Sequence, residues 1–510
     1  MKEDIQTPFF KGISTPALLE KWDKCLRSTG IQDTYPRMYS FDYDLGKKVG
    51  PMSLIRPFSE RMADVEAYYT LVQVPSKPLD SNAMDALLEM FRKKRGIRTK
   101  SQKAVWEDLD SKSRSAGAPT MLKKKLAIRD TLPAVVSGTD HLDTPKWHGQ
   151  TCAVLFARGQ EGGFSTNFAE QMALVKNRVV WGTPLGEILE EGQFYQPKIA
   201  AKKTMAEFPH LRGDADVDER VTLLFDSKPL KDLVVCTDFD KYDQHYNKAM
   251  QGVAKTLDAW LLGGDDHPFI QNVFDFKFNV PIVCTEDTMF VGPHGMASGS
   301  YGTNDDETDT HTGLQLETAI RNGQELNEYS QRNGDDGMLT YPGIKVKQVV
   351  DCYTSHGMEM NLAKQYASAD DCVYLRRYHA MDYRVDGVCV GVYSTFRALG
   401  RLRYQERYYD PDEWGPKMVT LRAWSIIENC KWHPAFKPFV DFVCDKGDKF
   451  RLGLDLPGFL DDIEHIALQA MDNFTDFLGF NKTQGKDAKQ IAKGIKSWEI
   501  YKYLAEKAKR

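Results

Sequence analysis

Any fold this chain adopts must bring together three polar signatures that lie far apart along it. Leu233, Val234 and Val235 read as a short buried strand ending near Asp238, within DFDKYDQ, where Asp243 also stands. A Gly/Ser-rich loop, Gly295 to Gly302, comes later and opens a helix from about Thr303 to Ile320. Asp305, Asp306 and Glu307 fall in the first turn of that helix, where the helix dipole favours acids. Asn322-Gly323 stops it. Gly334-Asp335-Asp336 follows. Between the first two signatures, Tyr246, Ala249, Met250, Val253, Leu257, Trp260 and Leu261 recur at helical spacing, and Gly263-Gly264 close that helix. A second Gly-Asp-Asp, Gly264 to Asp266, sits at this helix end beside His267-Pro268 with no Ser-Gly loop before it, and reads as an ordinary turn.

The pattern fits a definite chemistry. Phosphoryl transfer needs positioning and charge stabilisation more than covalent catalysis. Two Mg²⁺ ions roughly 3.5–4 Å apart activate the attacking hydroxyl and neutralise the leaving oxygen. Such ions prefer carboxylate oxygens. Asp238 and Asp335, from neighbouring strands, would bridge the pair, with Asp336 assisting.

Charge patterning agrees. The chain carries 67 basic and 72 acidic side chains for a net charge of −5, which excludes a uniformly cationic nucleic-acid binder. The charge is segregated. Residues 81–130 hold 13 basic and 6 acidic side chains, residues 301–370 hold 5 and 12, and residues 481–510 hold 9 and 3. Basic flanks suit RNA phosphates, and an acidic centre suits bound metal. Nine scattered cysteines without a CxxC pair fit free thiols in a reducing compartment. Neither a finger-type zinc spacing nor a histidine ligand cluster is evident, so His245, His294 and His311 read as structural or exposed. MKEDIQTPFFKG is no signal peptide, and no apolar run reaches the about 18 residues of a membrane span, so a soluble, intracellular protein is expected.

The ordered set DFDKYD, SGSYGT and GDD resembles the A, B and C palm motifs of viral RNA-dependent RNA polymerases, most closely those of picobirnaviruses and more distantly those of partitiviruses. The resemblance spans roughly residues 115 to 405. It implies an α+β right-hand fold with fingers, a palm of antiparallel sheet plus helices, and a mainly helical thumb. Residues 1–80 would bridge fingers and thumb. Fingers would take 81–230, palm motif A 231–252, a fingers insertion 253–290, palm motifs B to E 291–385, and thumb with basic tail 386–510. The implied activity is synthesis of RNA from rNTPs on an RNA template by two-metal nucleotidyl transfer with Mg²⁺ or Mn²⁺. That activity would serve replication and transcription of a double-stranded viral genome. The viral capsid protein would be a partner, no membrane would be involved, and the protein would work in the virion interior and host cytoplasm.

The resemblance also assigns roles. Asp238, Asp335 and Asp336 become metal ligands. Asp243 becomes the sensor of the ribose 2′-hydroxyl, the group that separates RNA from DNA. Ser298, Gly299 and Thr303 become the loop that supports nucleotide selection. Relatives often carry Asn where this chain has Glu307, and the segment NEYSQRN before Gly334 is more polar than a buried strand is expected to be. Lys176 and Arg178 resemble the basic motif that grips the triphosphate. Ser115, Gly117 and Pro119 match a template-entrance signature. Lys364 occupies the place of a general acid for the leaving pyrophosphate. Leu375-Arg376-Arg377-Tyr378 resembles the primer-grip hairpin. Arg397, Arg401 and Arg403 would line RNA phosphates on a thumb helix.

Three other readings use fewer of these features. A metal-dependent glycosyltransferase would use Asp238-Phe239-Asp240 as its DxD but leaves the Ser-Gly loop, the downstream GDD and the basic flanks without a role. A reverse transcriptase places a bulky residue where Asp243 stands. A non-enzymatic RNA-binding or capsid protein does not require spaced carboxylates.

Overall fold

The β-branched run Val234–Thr237 buries every one of its four side chains, and the rest of a mixed α and β architecture is arranged around it. The computed structural model describes residues 5–136, 151–264, 267–408, 414–447, 449–473 and 492–509. Asp265 and Asp266 of the second Gly-Asp-Asp and the first part of the basic tail lie outside these residues.

In chain order the strands are β1 (Ala153–Gln160), β2 (Lys176–Gly182), β3 (Val234–Thr237), β4 (Ile282–Val283), β5 (Met289–Phe290), β6 (Gln331–Asn333), β7 (Asp336–Leu339), β8 (Tyr366–Ser368), β9 (Asp371–Tyr374), β10 (Arg377–Ala380) and β11 (Val392–Tyr393). They form three sheets, ordered β2-β1-β4-β5, β6-β7-β3-β8 and β11-β10-β9. The second is the central one. In it β3 pairs antiparallel with β7, Thr237 opposite Gly337, and with β8, Cys236 opposite Tyr366. Four helices matter most for the site: α1 (Leu185–Lys202), α2 (Lys248–Leu261), α3 (Thr303–Arg321) and α4 (Thr395–Arg403). Asn247 caps α2 by accepting from the backbone N–H groups of Ala249 and Met250.

Two sequence expectations are corrected here. Ser330, Gln331 and Arg332 are polar yet buried, because α3 supplies their partners. Gln315 donates to the Gln331 carbonyl at 3.1 Å, and Arg332 donates to Thr312 Oγ1 at 2.8 Å. A polar strand is tolerated in a core when its groups are paired. The acids of the first turn of α3, in turn, are not a solvated dipole cap. Asp305, Asp306 and Asp309 are buried against α1, where Lys198 lies 2.8 Å from Asp305 and 2.9 Å from Asp309, and Lys202 lies 2.6 Å from Asp309. Lys198 also pairs with Asp258 of α2, and Lys277 sits 2.6 Å from Asp306. Much of the acidic centre is therefore neutralised internally instead of being held for metal.

The N-terminal segment joins two lobes. Phe9, Phe10 and Trp22 are buried with Trp424, Phe439 and Phe442, the Trp22 and Phe439 rings 5.0 Å apart. Thr7 N donates to the Arg403 carbonyl and Phe10 N to the Gly447 carbonyl, both at 2.8 Å. Further along, Gly163 N donates to the Lys48 carbonyl, and Arg56 N donates to Asn177 Oδ1. One stretch of chain thus grips the helical C-terminal lobe and the β1–β2 sheet. All nine cysteines are free. Among the described residues no helix is long and apolar enough to cross a membrane.

Candidate active site

Asp238 stands one residue beyond β3, and Asp335 stands in the β6–β7 turn, where Asn333 pairs with Asp336. The antiparallel pairing of β3 with β7 therefore brings both acids to one end of the central sheet. Both are exposed, as is Asp240. Burial pushes the Asp238 carboxyl upward, Lys364 pulls it down, and Asp335 raises it again. The left-handed φ of +60° at Gly334 forms this turn, and a side chain there would meet Asn304 Oδ1 at 2.8 Å. His311, buried in α3, holds the same turn: its ring nitrogen Nδ1 is 2.9 Å from the Gly334 carbonyl. Burial lowers the His311 pKa to about 4, so the ring is neutral and Nδ1–H is the donor.

Asp336, expected to assist the other two acids, has one oxygen engaged within the protein. Its Oδ2 accepts from Leu375 N at 2.8 Å, so the carboxyl faces the β9–β10 hairpin. Burial, with Asp335 adding to it, pushes Asp336 up to about 7.

Beside the acids lies a cleft of about 250 Å³ whose lining includes Tyr68, Arg178, Phe239, Tyr242, Asp243 and Asp335. Arg178 projects from β2 toward Asp243 and opposes the upward push that burial exerts on it. Lys176 shares that strand face and is exposed, but it does not line the cleft. Glu307, which stands where relatives often carry Asn, lies close enough to Asp243 for the two carboxyls to shift each other's titration. Burial raises Glu307 well above the usual carboxylate range, with Asp243 and Asp335 adding to it.

The glycine-rich loop is held by its own hydroxyls. Ser298 Oγ accepts from Trp181 N at 3.2 Å, and Thr303 Oγ1 donates to the Ala297 carbonyl at 2.6 Å. A Cβ on Gly299 would lie 1.9 Å from the Trp181 carbonyl, so only glycine lets the loop reach β2 this closely. Glu191 of α1 anchors the loop from behind, accepting from Ser300 Oγ at 2.8 Å and from Tyr301 N. The Ser115–Pro119 loop packs nearby: the Ala116 carbonyl accepts from Leu185 N at 2.8 Å, and Ser115 Oγ accepts from Gly117 N at 3.2 Å.

The arginines divide. Arg376 is exposed at the tip of the β9–β10 turn, where Leu375 and Arg376 both take positive φ. Arg397 and Arg401 of α4 lie near enough to disfavour its charge, after burial. Arg397 is also paired with Glu161, Nη2 to Oε2 at 2.9 Å, across to the loop after β1. Arg377 and Arg403 are buried and spoken for within the protein. Arg377 is buried against Asp218 at 2.8 Å, and Arg403 is buried and donates to the Phe10 carbonyl. Their positions within strand and helix turn them inward, which a run of basic letters does not reveal. Lys364 is exposed, its Nζ 4.0 Å from Asp240 Oδ2.

His245 and His294 are buried structural residues: His245 lies 3.1 Å from Glu359, and His294 stacks on Trp181. Contrary to the expected lack of histidine clusters, Glu317, Cys352 and His356 converge. Arg321 already pairs there with Glu317, and His356 Nε2 lies 3.0 Å from the same carboxylate. Against its burial, hydrogen bonds with Cys352 and Glu317 raise His356 to about 9, so the cluster is a satisfied ion network. Glu191 was missed from sequence, since nothing local marks it, whereas His311, read as structural or exposed, is the buried support of the Gly334 turn. Glu307 was findable, because four-residue spacing puts it on one helix face with Thr303.

Residues 80–385 match the family described as viral RNA-dependent RNA polymerase. The chain is 45% identical over 509 residues to a protein of human picobirnavirus (strain Human/Thailand/Hy005102/-) named potential RNA-dependent RNA polymerase, covering 98% of this chain and 93% of that one. Its structure is similar to the crystal structure of the RNA-dependent RNA polymerase of a human picobirnavirus, with a TM-score of 0.88, 41% identity, and coverage of 99% of this chain and 94% of that one. An insertion-loop deletion mutant of such an enzyme matches with a TM-score of 0.87, 42% identity and the same coverage.

Proposed function

The chain belongs to the viral RNA-dependent RNA polymerases, so it is a nucleotidyltransferase that takes RNA, nucleotides and divalent metal, and we propose that it works from the cleft between Asp238, Asp243 and Asp335. The observation that carries this reading is the convergence of two exposed carboxylates, Asp238 and Asp335, at one end of the central sheet beside a pocket that holds Arg178 and Asp243.

The donor set fits a hard divalent ion. Burial pushes the Asp238 carboxyl upward, Lys364 and Lys48 pull it down, and Asp335 and Asp240 push it up again. Asp238 and Asp335 would hold Mg²⁺ or Mn²⁺, and bound ions of this kind offset charge on the transferring phosphate. Asp336, turned to Leu375, supports the hairpin and is the weakest candidate ligand. Arg178, with Lys176 further out on the same strand, receives the triphosphate. Asp243 reads the 2′-hydroxyl while Glu307 orients it. Ser298, Gly299 and Thr303 shape the wall of the nucleotide site. Lys364 delivers a proton to the leaving pyrophosphate. Arg376, Arg397 and Arg401 gather where product phosphates would run, and the Ser115–Pro119 loop meets the template.

The lobes divide as fingers (81–230 and 253–290), palm (231–252 and 291–385) and thumb (386–510), with residues 1–80 bridging fingers and thumb. The shared β2-β1-β4-β5 sheet supports grouping 282–290 with the fingers. The enzyme replicates and transcribes a double-stranded RNA genome inside the virion and in the host cytoplasm, in contact with capsid protein.

The test is incorporation of labelled rNTPs on a defined RNA template. Synthesis should require template and either Mg²⁺ or Mn²⁺, and stop on chelation. Template-independent or chelator-resistant incorporation would overturn the reading.

A further inference from the structure

The pairing of β3 with β8 ends at Cys236 opposite Tyr366. Continued by two residues, the ladder would set Asp238 opposite Lys364. It does not continue, because Leu362–Lys364 bend into a 3₁₀ turn. The exposed end of β3 is nonetheless not left frayed. The carboxamide of Gln365 takes the place of the missing peptide group. Its Oε1 accepts from Asp238 N at 2.8 Å, and its Nε2 donates to the Asp238 carbonyl at 2.8 Å. The same Nε2 donates to the Asn361 carbonyl at 3.0 Å, at the start of the turn. Asn361 in turn caps that turn, its Oδ1 accepting from Ala363 N at 2.9 Å. A second contact fixes the other end of the segment, where Asp240 N donates to the Glu359 carbonyl at 2.9 Å.

We propose that Gln365 is a positioning residue that fastens the backbone on both sides of Asp238 to the turn carrying Lys364, so that carboxylate and lysine are placed as one unit. This rests on the reading of Asp238 and Lys364 given above. An amide suits the task because it presents one acceptor and two donors in a plane, and all three are used. The backbone hydrogen bonds of Lys364 do not tie down its side chain, which reaches to within 4.0 Å of Asp240. Because Gln365 ties the Asp238 backbone to the turn, a displacement of either backbone is carried to the other, while the Lys364 side chain keeps its own freedom.

The experiment compares wild type with Q365A, Q365E and D238N, by single-nucleotide incorporation on a preformed RNA template across a Mg²⁺ titration, with melting temperature alongside. Q365E keeps the acceptor for Asp238 N but sets oxygen against two carbonyls, so it should fare no better than Q365A. For Q365A, misplacement of the reacting groups should lower the incorporation rate about tenfold and raise the half-saturating Mg²⁺ about threefold, with KM for rNTP within about twofold of wild type. A Q365A enzyme that matches wild type in rate and Mg²⁺ dependence overturns the proposal. So does a loss that tracks a fall in melting temperature while the Mg²⁺ midpoint stays put, since that marks a purely structural contact. D238N should be inactive; an active D238N would bring down the underlying reading of the site, whatever Q365A does.

Discussion

The buried carboxyl of Glu307 stands beside the carboxyl of Asp243, close enough for each to shift the other's titration. Burial and the charge of Asp243 push Glu307 well above the usual carboxylate range, which favours a protonated Glu307 that donates toward Asp243. Glu307→Gln keeps a donor in place, so selection of rNTP over dNTP should stay within about twofold of wild type. Glu307→Ala removes about 1 kcal/mol of support, and discrimination should fall about fivefold. Asp243→Ala should blunt discrimination further. Competition of rNTP against dNTP on one template measures all three, and equal losses for both nucleotides would show that the pair does not read the sugar.

Asp335→Asn keeps the size of the side chain but removes its charge. Incorporation should drop by at least about 100-fold while the melting temperature holds, because the residue is exposed and in a turn. Retained incorporation would remove Asp335 from the ligand set.

Acid should loosen the fold through its buried histidines. Burial lowers His294 and His311 to about 4. Between that value and the ordinary value near about 6.5, the unfolded chain binds protons that the folded chain refuses, so stability rises with pH across this window and is lost as pH falls. This share of the stability should therefore be lost from about pH 6.5 toward about pH 4, against the opposite contribution of raised carboxyls such as Asp336, and it appears as the pH-dependent difference in melting temperature between wild type and a histidine variant. His311→Gln, which retains a donor for Gly334, should flatten part of that slope. An unchanged slope would place the acid sensitivity elsewhere.

Lys198 is fully buried among Asp258, Asp305, Asp306 and Asp309. Lys198→Ala leaves Asp258 without its cation and the other three acids with only Lys202 and Lys277, at a cost of about 3–5 kcal/mol. Urea denaturation should show the loss, whereas alanine at the exposed Lys347 should change little. A mild effect at Lys198 would mean that the acids take up protons instead.

The central elements were legible because they are local. A β-branched run before Asp238, helical spacing from Tyr246 to Leu261 and a Gly-Asp-Asp turn each declare themselves within a few residues, and the structure has β3, α2 and the β6–β7 hairpin there. What stayed hidden depends on partners far along the chain. The α3 acids read as partners of the helix dipole and as charge for metal because the lysines that neutralise them come from α1 and from Lys277. Arg377 and Arg403 read as RNA ligands because sequence does not show which face of a strand or helix is covered. Gln365 carries no motif, and its role depends on where a ladder stops.

The N-terminal segment that grips both the C-terminal helices and the β1–β2 sheet also has a mechanical consequence. Together with the Arg397–Glu161 and Arg158–Glu406 ion pairs, it ties those two parts of the chain to each other. Any widening between them has to stretch or break these contacts, so the stiffness of the whole assembly rests on a segment remote in sequence from the acids.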